Sequence, residues 1–453
     1  MNEEARPRSR RGVVYVSGRH PFLALDSVAL AAAKLLVGAW VLHLGFTHVS
    51  DDDFSRVVIS EQFAEAPWVD PSGTSWLPLP FWVEGMAMMA TWRSLEVARA
   101  VALALGCAGV LVFYISQREV GVHRLSALAA TGAAMVLPWN AWLGVASVPD
   151  GWTGALIAAS ALAVGRSTTR TWAVFGLLAA SLCRYEAWPA CAVAAAVCVW
   201  WSRRVGEARR TKAAVALAGP VLWMAWNTYA HGSPIHFLAR VAAFRHAVGA
   251  ADAPLSAKLL DYPLALLHES PEAVVLGAVG LLGFFDRELR VRWSAPAVAA
   301  AAIFAFLVWG DVHDGAPTHH PARALAAIWW IAFGMGADAV HALVARASEG
   351  RGLRVAWAVV LGAAGVAWGA FLPGRWALAP GEGPGERRDA QVARGVALRE
   401  EGAEHAEITP CAYEHFALIA AWGEPERATI LPSRHTPVTA DCPEVTVVGS
   451  KER

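Results

Sequence analysis

The organisation of the chain is decided by residues 22–56, which read FLALDSVALAAAKLLVGAWVLHLGFTHVSDDDFSR. An apolar run long enough to cross the hydrocarbon core of a bilayer ends in a block of consecutive aspartates. The run predicts a membrane span at 22–43, and the aspartates predict a polar loop at the membrane surface. The basic segment before the run has no small-residue cleavage site, so we expect this span to be retained and not removed as a signal peptide.

The whole chain shares this bias toward apolar residues. Of its 453 residues, 56% are hydrophobic and only 17% are charged, and the mean hydropathy is +0.39. Disordered proteins and ordinary soluble enzymes carry more charge than this. The net charge of zero argues against a nucleic-acid partner, whose phosphates require a basic surplus. We therefore predict an all-α polytopic membrane protein whose partner is the lipid bilayer.

Further apolar runs bring the prediction to about eleven transmembrane helices. Basic residues favour one set of loops over the other by twenty to seven, and the positive-inside rule assigns the richer set to the cytoplasm. The N-terminus is then cytoplasmic and the C-terminus extracytoplasmic. The predicted spans are 22–43, 95–116, 125–146, 150–165, 171–188, 189–201, 213–230, 273–285, 295–310, 324–344 and 355–373.

The composition changes close to residue 373, where the chain becomes charged and rich in glycine and proline. We predict a cytoplasmic tail at 1–20, a membrane domain at 21–373 and a small extracytoplasmic α/β domain at 374–453. Cys411 and Cys442 lie in this last region, where a disulfide and two buried free thiols are both compatible with the sequence. The predicted elements of the C-terminal domain are a helix at 386–401 and strands at 405–409, 427–431 and 444–449.

The first outer loop, residues 44–94, opens with the acidic motif Ser50-Asp51-Asp52-Asp53-Phe54-Ser55-Arg56. Three adjacent carboxylates repel one another unless a cation, a basic partner or a proton relieves them. A solvated acidic loop is one interpretation. The position of the motif at the membrane surface, and the tryptophans and prolines later in the loop, favour a surface that binds the headgroup of a lipid-linked substrate.

A second polar cluster, Arg184-Tyr185-Glu186, lies at the end of a predicted span. Ionisable residues at membrane depth are costly, so they are usually functional or paired with one another. In the alternative interpretation, Arg184 and Glu186 extend outward to water. A functional role is the interpretation that we follow.

A third cluster lies at 311–323, between two spans on the outer side, and contains His319, His320 and Arg323. Histidines and carboxylates can ligate zinc or manganese, but the spacing matches no established site. We therefore expect no metal and no other cofactor, and a divalent cation that bridges the acidic run is the alternative. Arg323 with the two histidines fits a phosphate, because a guanidinium pairs with two phosphate oxygens. An exposed turn with incidental histidines is the alternative.

The outer segment 231–272 holds two further basic candidates. Arg240 and Arg245 lie among apolar residues, a mixture typical of an amphipathic helix on a membrane surface. Such a helix is either a lid over a lipid phosphate or a plain interfacial helix.

The acidic start of the first outer loop, the interfacial helices and the outer tail resemble the GT-C superfamily of membrane glycosyltransferases. The resemblance is greatest to the bacterial branch that contains protein O-mannosyltransferases and lipid A aminoarabinose transferases. These families carry an Asp-Asp or Asp-Glu pair followed two residues later by an aromatic residue, and Asp51-Asp52-Asp53-Phe54 is similar to that motif. The resemblance implies that Asp51 is the catalytic carboxylate and Asp52 its acidic companion.

Two other motifs share this resemblance. Arg184-Tyr185-Glu186 is similar to an Arg-Pro-Glu or Arg-Tyr-Glu element at a span end in many bacterial members. The segment from His319 to Arg323 is similar to a His-x-x-Arg-type element before a late span, although Ala322 stands where an acidic residue is common. The resemblance implies that these residues bind the substrate.

The implied activity is that of a GT-C hexosyltransferase in the bacterial plasma membrane. It would move a sugar from a polyprenyl phosphate to an acceptor glycan, lipid or protein outside the cytoplasm. The phosphate is a stable leaving group, so the main need is a base for the acceptor hydroxyl, and direct attack inverts the anomeric centre. Arg323, His320 and either Arg240 or Arg245 would hold the phosphate.

Two other functions are compatible with parts of the sequence. A ligase or polymerase of lipid-linked polysaccharide uses the same donor chemistry, but such proteins often lack an acidic start to the first loop. A multi-span transporter would place polar residues near the bilayer midplane in two related halves. In this chain the charged residues lie at the outer ends of the spans, which favours the transferase.

Overall fold

The computed structural model describes residues 22–166, 171–205, 208–247, 250–315, 320–347, 365, 368–369, 371, 374–376, 388–434, 438 and 441–448. Most of these residues are helical. Up to residue 347 the helices are α1 (Leu23–His43), α2 (Asp52–Glu65), α3 (Leu79–Ala90), α4 (Leu95–Glu119), α5 (Arg124–Val136), α6 (Pro138–Trp142), α7 (Asp150–Arg166), α8 (Thr171–Ser181), α9 (Ala187–Val205), α10 (Ala208–His231), α11 (His236–Ala247), α12 (Leu255–Glu269), α13 (Pro271–Leu282), α14 (Arg287–Val312) and α15 (Ala326–Ala347).

Several of the described helices are long and apolar enough to cross a membrane. By length and composition these are Leu23–His43, Leu95–Glu119, Arg287–Val312 and Pro321–Arg346. Helices α12 and α13 add a fifth if they form one span that is bent by 96°. A helix is found at each predicted span up to residue 347, but three of the apolar helices have only 10–17 residues, namely Arg124–Val136, Thr171–Ser181 and Ala187–Trp200. The number eleven therefore stays a prediction, and most of the span predicted at 355–373 lies outside the described residues.

The span predicted at 125–146 is broken in the structure. Helix α5 ends at Val136, and the short helix α6 begins at Pro138. A proline lacks the backbone donor that would continue the helix, and it disfavours a helical conformation in the residue before it. Lys34 of α1 is buried beside this break, where its Nζ donates to the carbonyl of Asn140 at 2.9 Å. A hydropathy scan misses the break because the residues around Pro138 are apolar.

Helix α7 is the central helix of the membrane part. It packs against α4, α8, α14 and α15, and most of its residues are buried. Its small residues allow this close approach, as at Gly154, where a Cβ would lie 2.7 Å from the Cβ of Ala326. The helix begins at Asp150, so its first residue brings a buried carboxylate close to Arg184 and Arg323.

The C-terminal region contains the predicted mixture of helix and strand. Its helices are α16 (Asp389–Glu400) and α17 (His415–Trp422), and its strands are β1 (Ala406–Thr409), β2 (Ala428–Ile430) and β3 (Glu444–Val447). The strands form a sheet in the order β2-β1-β3, with β1 parallel to β2 and antiparallel to β3. Cys411 and Cys442 form a disulfide, the first of the two alternatives that the sequence leaves open.

This region shares a hydrophobic core with the first outer loop. Phe54 and Val57 of α2 belong to the same buried cluster as Ile408, Leu418 and Trp422. The composition boundary near residue 373 therefore does not mark an independent packing unit. The core fixes the C-terminal region against α2, the helix that begins in the acidic motif.

We expect the change Gly395→Ala to loosen this packing. A Cβ at Gly395 would overlap the backbone carbonyl of Leu418 in α17. Alanine gains about 1 kcal/mol of helix propensity over glycine, but overpacking against a backbone costs about 1–3 kcal/mol. The thermal unfolding midpoint in detergent, followed by tryptophan fluorescence, should fall by a few degrees. The control is Gly132→Ala in α5, where nothing lies within 4 Å of the new Cβ. A midpoint for Gly395→Ala at or above that of the wild type would contradict the expectation.

Candidate active site

A cavity of about 660 Å³ lies between the acidic motif, the outer ends of several membrane helices, α11 and the C-terminal region. Its lining includes charged side chains, among them Asp51, Asp52, Arg184 and Arg323. It also includes apolar side chains of α11 and α14. These apolar residues are Phe237, Leu238, Val241, Phe244, Phe306 and Leu307. The mixed polarity of the lining matches an amphiphilic ligand with a charged headgroup.

Asp51 forms a bidentate ion pair with Arg388, which precedes α16. The Nε of Arg388 donates to Oδ1 at 2.8 Å, and Nη2 donates to Oδ2 at 2.9 Å. The side chain of Arg388 is 6% exposed, against 25% for Asp51. The carboxylate at the cavity surface is thus held by a buried guanidinium from a segment more than 300 residues away.

Asp52 pairs with a different guanidinium, that of Arg323. The Nη2 of Arg323 donates to Oδ2 of Asp52 at 2.7 Å, and its Nη1 donates to the hydroxyl of Ser50 at 3.2 Å. The Nε of Arg323 also lies 3.8 Å from Oδ1 of Asp150. The acidic motif, the start of α7 and the segment before α15 therefore meet at one point.

Asp53 points away from the cavity and has a structural role. It is buried, and its carboxylate accepts hydrogen bonds from the backbone N–H groups of Val49, Ser50, Ser147 and Val148 at 2.9–3.4 Å. These bonds tie the acidic motif to the loop before α7. Each of the three aspartates thus has its own cationic or backbone partner, which relieves the repulsion expected between them.

Arg184 faces the cavity and lies between two carboxylates. Its guanidinium donates to Glu186 at 3.1 and 2.5 Å, and its Nη2 lies 3.1 Å from Oδ1 of Asp150. Neither carboxylate oxygen of Asp150 accepts a hydrogen bond from the described residues. The alternative in which Arg184 and Glu186 extend outward to water does not match this arrangement.

Arg56 is a cavity residue that sequence reasoning missed. Its guanidinium lies 4.4 Å above the ring of Trp76, and two of its buried nitrogens, Nε and Nη1, have no hydrogen-bond partner among the described residues. Burial lowers the pKa of Arg56 to about 10, against the opposing effect of Asp52, so the side chain is still a cation at neutral pH. Its spacing of four residues from Asp52 on one helix was the signal that could have identified it.

The remaining predicted residues lie in different environments. Arg240 of α11 lines the cavity, is exposed, and makes no ion pair with a described carboxylate. His320 also lines the cavity and has a positive φ of 49°. Arg245 does not line it, because it is buried in an ion pair with Asp311 at 2.7 Å. His319 lies outside the described residues.

The charged groups around the cavity carry a net positive charge. Five guanidinium groups face three carboxylates among the lining residues. Asp150 lies directly behind them and reduces the surplus without cancelling it. The guanidiniums are Arg56, Arg184, Arg240, Arg323 and Arg388, and the carboxylates are Asp51, Asp52 and Glu186. Such a surplus in a partly buried cavity favours an anion.

One group of side chains in the described part of the chain has the spacing of metal ligands, namely Cys411, Glu414 and Cys442. The two sulfurs are joined in a disulfide. The Glu414 carboxylate accepts hydrogen bonds from the backbone N–H groups of Cys411 and Ala412, both at 2.7 Å. These bonds account for the cluster without an ion.

The helix arrangement is that of a multi-pass membrane protein, and its fold is similar to that of ArnT. The crystal structure of ArnT from Cupriavidus metallidurans in the apo state has a TM-score of 0.52, 15% sequence identity, and coverage of 90% of both chains. The structure of that protein bound to undecaprenyl phosphate has a TM-score of 0.55 and 16% identity, with coverage of 90% of this chain and 89% of that chain. No family model and no curated protein sequence matches the chain.

The likeness to ArnT confirms the predicted resemblance to the GT-C superfamily at the level of the fold. The matched part of the chain also extends beyond residue 373. A coverage of 90% leaves out fewer residues than the region after residue 373 contains, so part of the C-terminal region is included.

Glu84 of α3 gives the protein a testable pH dependence. It is buried behind Arg56, and burial raises its pKa from 4.5 to about 8 although Ser60 donates a hydrogen bond to it at 3.0 Å. The folded protein therefore keeps a proton that the unfolded chain loses near pH 4.5. Between about pH 4.5 and 8 the unfolded state binds fewer protons, so stability falls as the pH rises.

We expect Glu84→Gln to reduce this loss of stability, because the amide keeps the acceptor for Ser60 and cannot ionise. The measurement compares thermal unfolding midpoints at pH 5.5 and 8 for the wild type and the variant. Burial also raises the pKa of Glu61, so part of the loss should remain. The control is Glu65→Gln, whose side chain is 63% exposed. An equal drop in midpoint for the wild type and Glu84→Gln would rule out this assignment.

Proposed function

We propose that the protein is a membrane glycosyltransferase that moves a sugar from a polyprenyl phosphate to an acceptor on the outer side of the membrane. The observation that carries this proposal is the cavity, whose lining combines an acidic pair, five guanidinium groups and apolar side chains of α11 and α14. The guanidiniums suit a phosphate, and the apolar side chains suit a prenyl chain. A protein with the same fold has been crystallised with undecaprenyl phosphate, which supports this choice of donor.

The guanidiniums are assigned to the donor phosphate. Negative charge grows on this phosphate as the sugar leaves, and donors already arranged around it stabilise that charge. Arg323 is buried, Arg184 is 12% exposed, and both are held by carboxylates, so they need little reorganisation. Arg240 on α11 is exposed and lines the cavity, as does His320. In this mechanism guanidiniums neutralise the phosphate, and a metal ion has no assigned role.

Asp51 is assigned as the base that accepts the proton of the acceptor hydroxyl. Its carboxylate is at the cavity surface and is oriented by Arg388. Asp52 is assigned as its companion, which keeps Arg323 directed at the phosphate. The acceptor oxygen attacks the anomeric carbon, the bond from that carbon to the phosphate oxygen breaks, and the configuration inverts.

The first test is donor binding. Purified protein should bind undecaprenyl phosphate, and Arg323→Gln should weaken that binding by about 10–100-fold, because a hydrogen bond to a charged group contributes about 1.5–3 kcal/mol. Native mass spectrometry with a lipid titration measures this affinity. The control is Arg346→Gln, whose side chain is 61% exposed and pairs with Asp286. Equal affinity in the wild type and Arg323→Gln would contradict the phosphate assignment.

The second test is transfer. A panel of undecaprenyl-phosphate-linked sugars is offered with membrane lipids and glycans as acceptors, and release of undecaprenyl phosphate is measured. We expect Asp51→Asn to lower kcat by about 10²–10⁴-fold, the usual contribution of a general base. Glu65→Gln, an exposed change on the same outer loop, should retain full activity. Normal transfer by Asp51→Asn would remove Asp51 from the role of base.

A further inference from the structure

We infer that Arg388 is a positioning residue for Asp51, and that the Cys411–Cys442 disulfide keeps Arg388 in place. The inference rests on the proposed function and extends it to the C-terminal region. In this arrangement the region after residue 388 is part of the active site.

The contact between Arg388 and Asp51 has the geometry of an orienting pair. Two nitrogens of one guanidinium donate to the two oxygens of one carboxylate, at 2.8 and 2.9 Å. A bidentate pair fixes the plane of the carboxylate as well as its position. Because Asp51 uses both oxygens, the loss of Arg388 leaves it free to rotate about its side-chain bonds.

The position of Arg388 depends in turn on the segment that carries the disulfide. Helix α16 starts directly after Arg388, and its side chains bond to the backbone around Cys442. The Nε2 of Gln391 donates to the carbonyl of Cys442 at 2.8 Å, and Nη1 of Arg394 donates to that of Pro443 at 2.8 Å. The disulfide then fixes Cys442 to Cys411, 31 residues earlier in the chain.

The segment that follows Cys411, the other cysteine of the disulfide, also contributes to the cavity. Cys411 is followed closely by Tyr413 and Phe416, and both of these rings line the cavity. The backbone of Cys411 is held by Glu414 on one side, and its carbonyl accepts a hydrogen bond from Ser433 on the other. The disulfide therefore joins the segment that covers the cavity to the segment that holds α16.

Arg388 is assigned to positioning because the carboxylate that its guanidinium holds at both oxygens is the one assigned as the base. Arg184 and Arg323 also pair with carboxylates, but Glu186 and Asp52 are not assigned as bases. Loss of an orienting contact misplaces the base, and a misplacement of about 1 Å can cost about 100-fold in rate. The loss should then affect kcat and leave the apparent affinity for the donor unchanged.

The kinetic test is a double-mutant cycle with Asp51→Asn, Arg388→Gln and both changes together. We expect Arg388→Gln to lower kcat by about 100-fold, with the KM for the lipid-linked sugar within about twofold of wild type. The double variant should be no slower than Asp51→Asn alone, because both changes remove the same oriented base. Arg388→Lys should recover part of the rate, since it restores the charge without the planar fork.

The matched control is Arg399→Gln on the same helix. Arg399 pairs with Glu96 at 3.4 Å at the exposed surface, and its loss should leave kcat unchanged. If the losses from Asp51→Asn and Arg388→Gln multiply, or if Arg388→Gln raises the donor KM, the positioning role is wrong.

A second double-mutant cycle measures stability and requires no enzymatic activity. Its outcome therefore tests this inference independently of the proposed function. Thermal unfolding midpoints of the same variants should show coupling between Asp51 and Arg388, with the double variant more stable than the sum of the single losses predicts. The pair Cys411→Ser/Cys442→Ser should remove most of that coupling. Coupling that is unchanged without the disulfide would overturn its role, and no coupling in the wild-type background would overturn the ion pair itself. An absence of transfer in the wild type would instead count against the proposed function alone.

Discussion

The part of the protein around the cavity is organised by the requirement that buried guanidiniums have partners. The side chain of Arg323 is only 4% exposed, and removal of a charge from water costs several kcal/mol unless a counter-charge compensates. Its partners are Asp52, at the start of α2, and Asp150, at the start of α7. Arg184 satisfies the same requirement with Asp150 and Glu186. These segments are distant in sequence, so the pairing of charges also determines how the helix ends meet.

This network of ion pairs produces a site that favours the binding of an anion. The charges balance only in part, because the guanidiniums outnumber the carboxylates around the cavity. Two nitrogens of Arg56, which lines the cavity, have no hydrogen-bond partner among the described residues. Buried polar atoms without partners are costly, so a ligand that supplied acceptors would stabilise the site. The oxygens of an anion are acceptors of this kind.

The sequence was sufficient to predict the residues that lie close to a span end. Asp51, Arg184 and Arg323 were found because ionisable groups stand out against an apolar background, and all three line the cavity. Arg245 was predicted by the same reasoning but binds Asp311 instead, since spacing along an amphipathic helix does not identify the partner of each charge. Arg388 could not be predicted, because its contact with Asp51 depends on tertiary packing.

The C-terminal region shows most clearly that composition does not predict which segments pack together. The change near residue 373 predicted a separate small domain, and its helix and strands were located well. Its core, however, includes Phe54 and Val57 of α2, so the region and the acidic motif pack as one body. A side chain at the edge of this packed unit, such as that of Arg388, can therefore be held in a fixed position, as side chains within the membrane part are. The packing of α17 on α2 is therefore what allows Arg388 to reach Asp51, and it connects the fold of the tail to the chemistry proposed for the cavity.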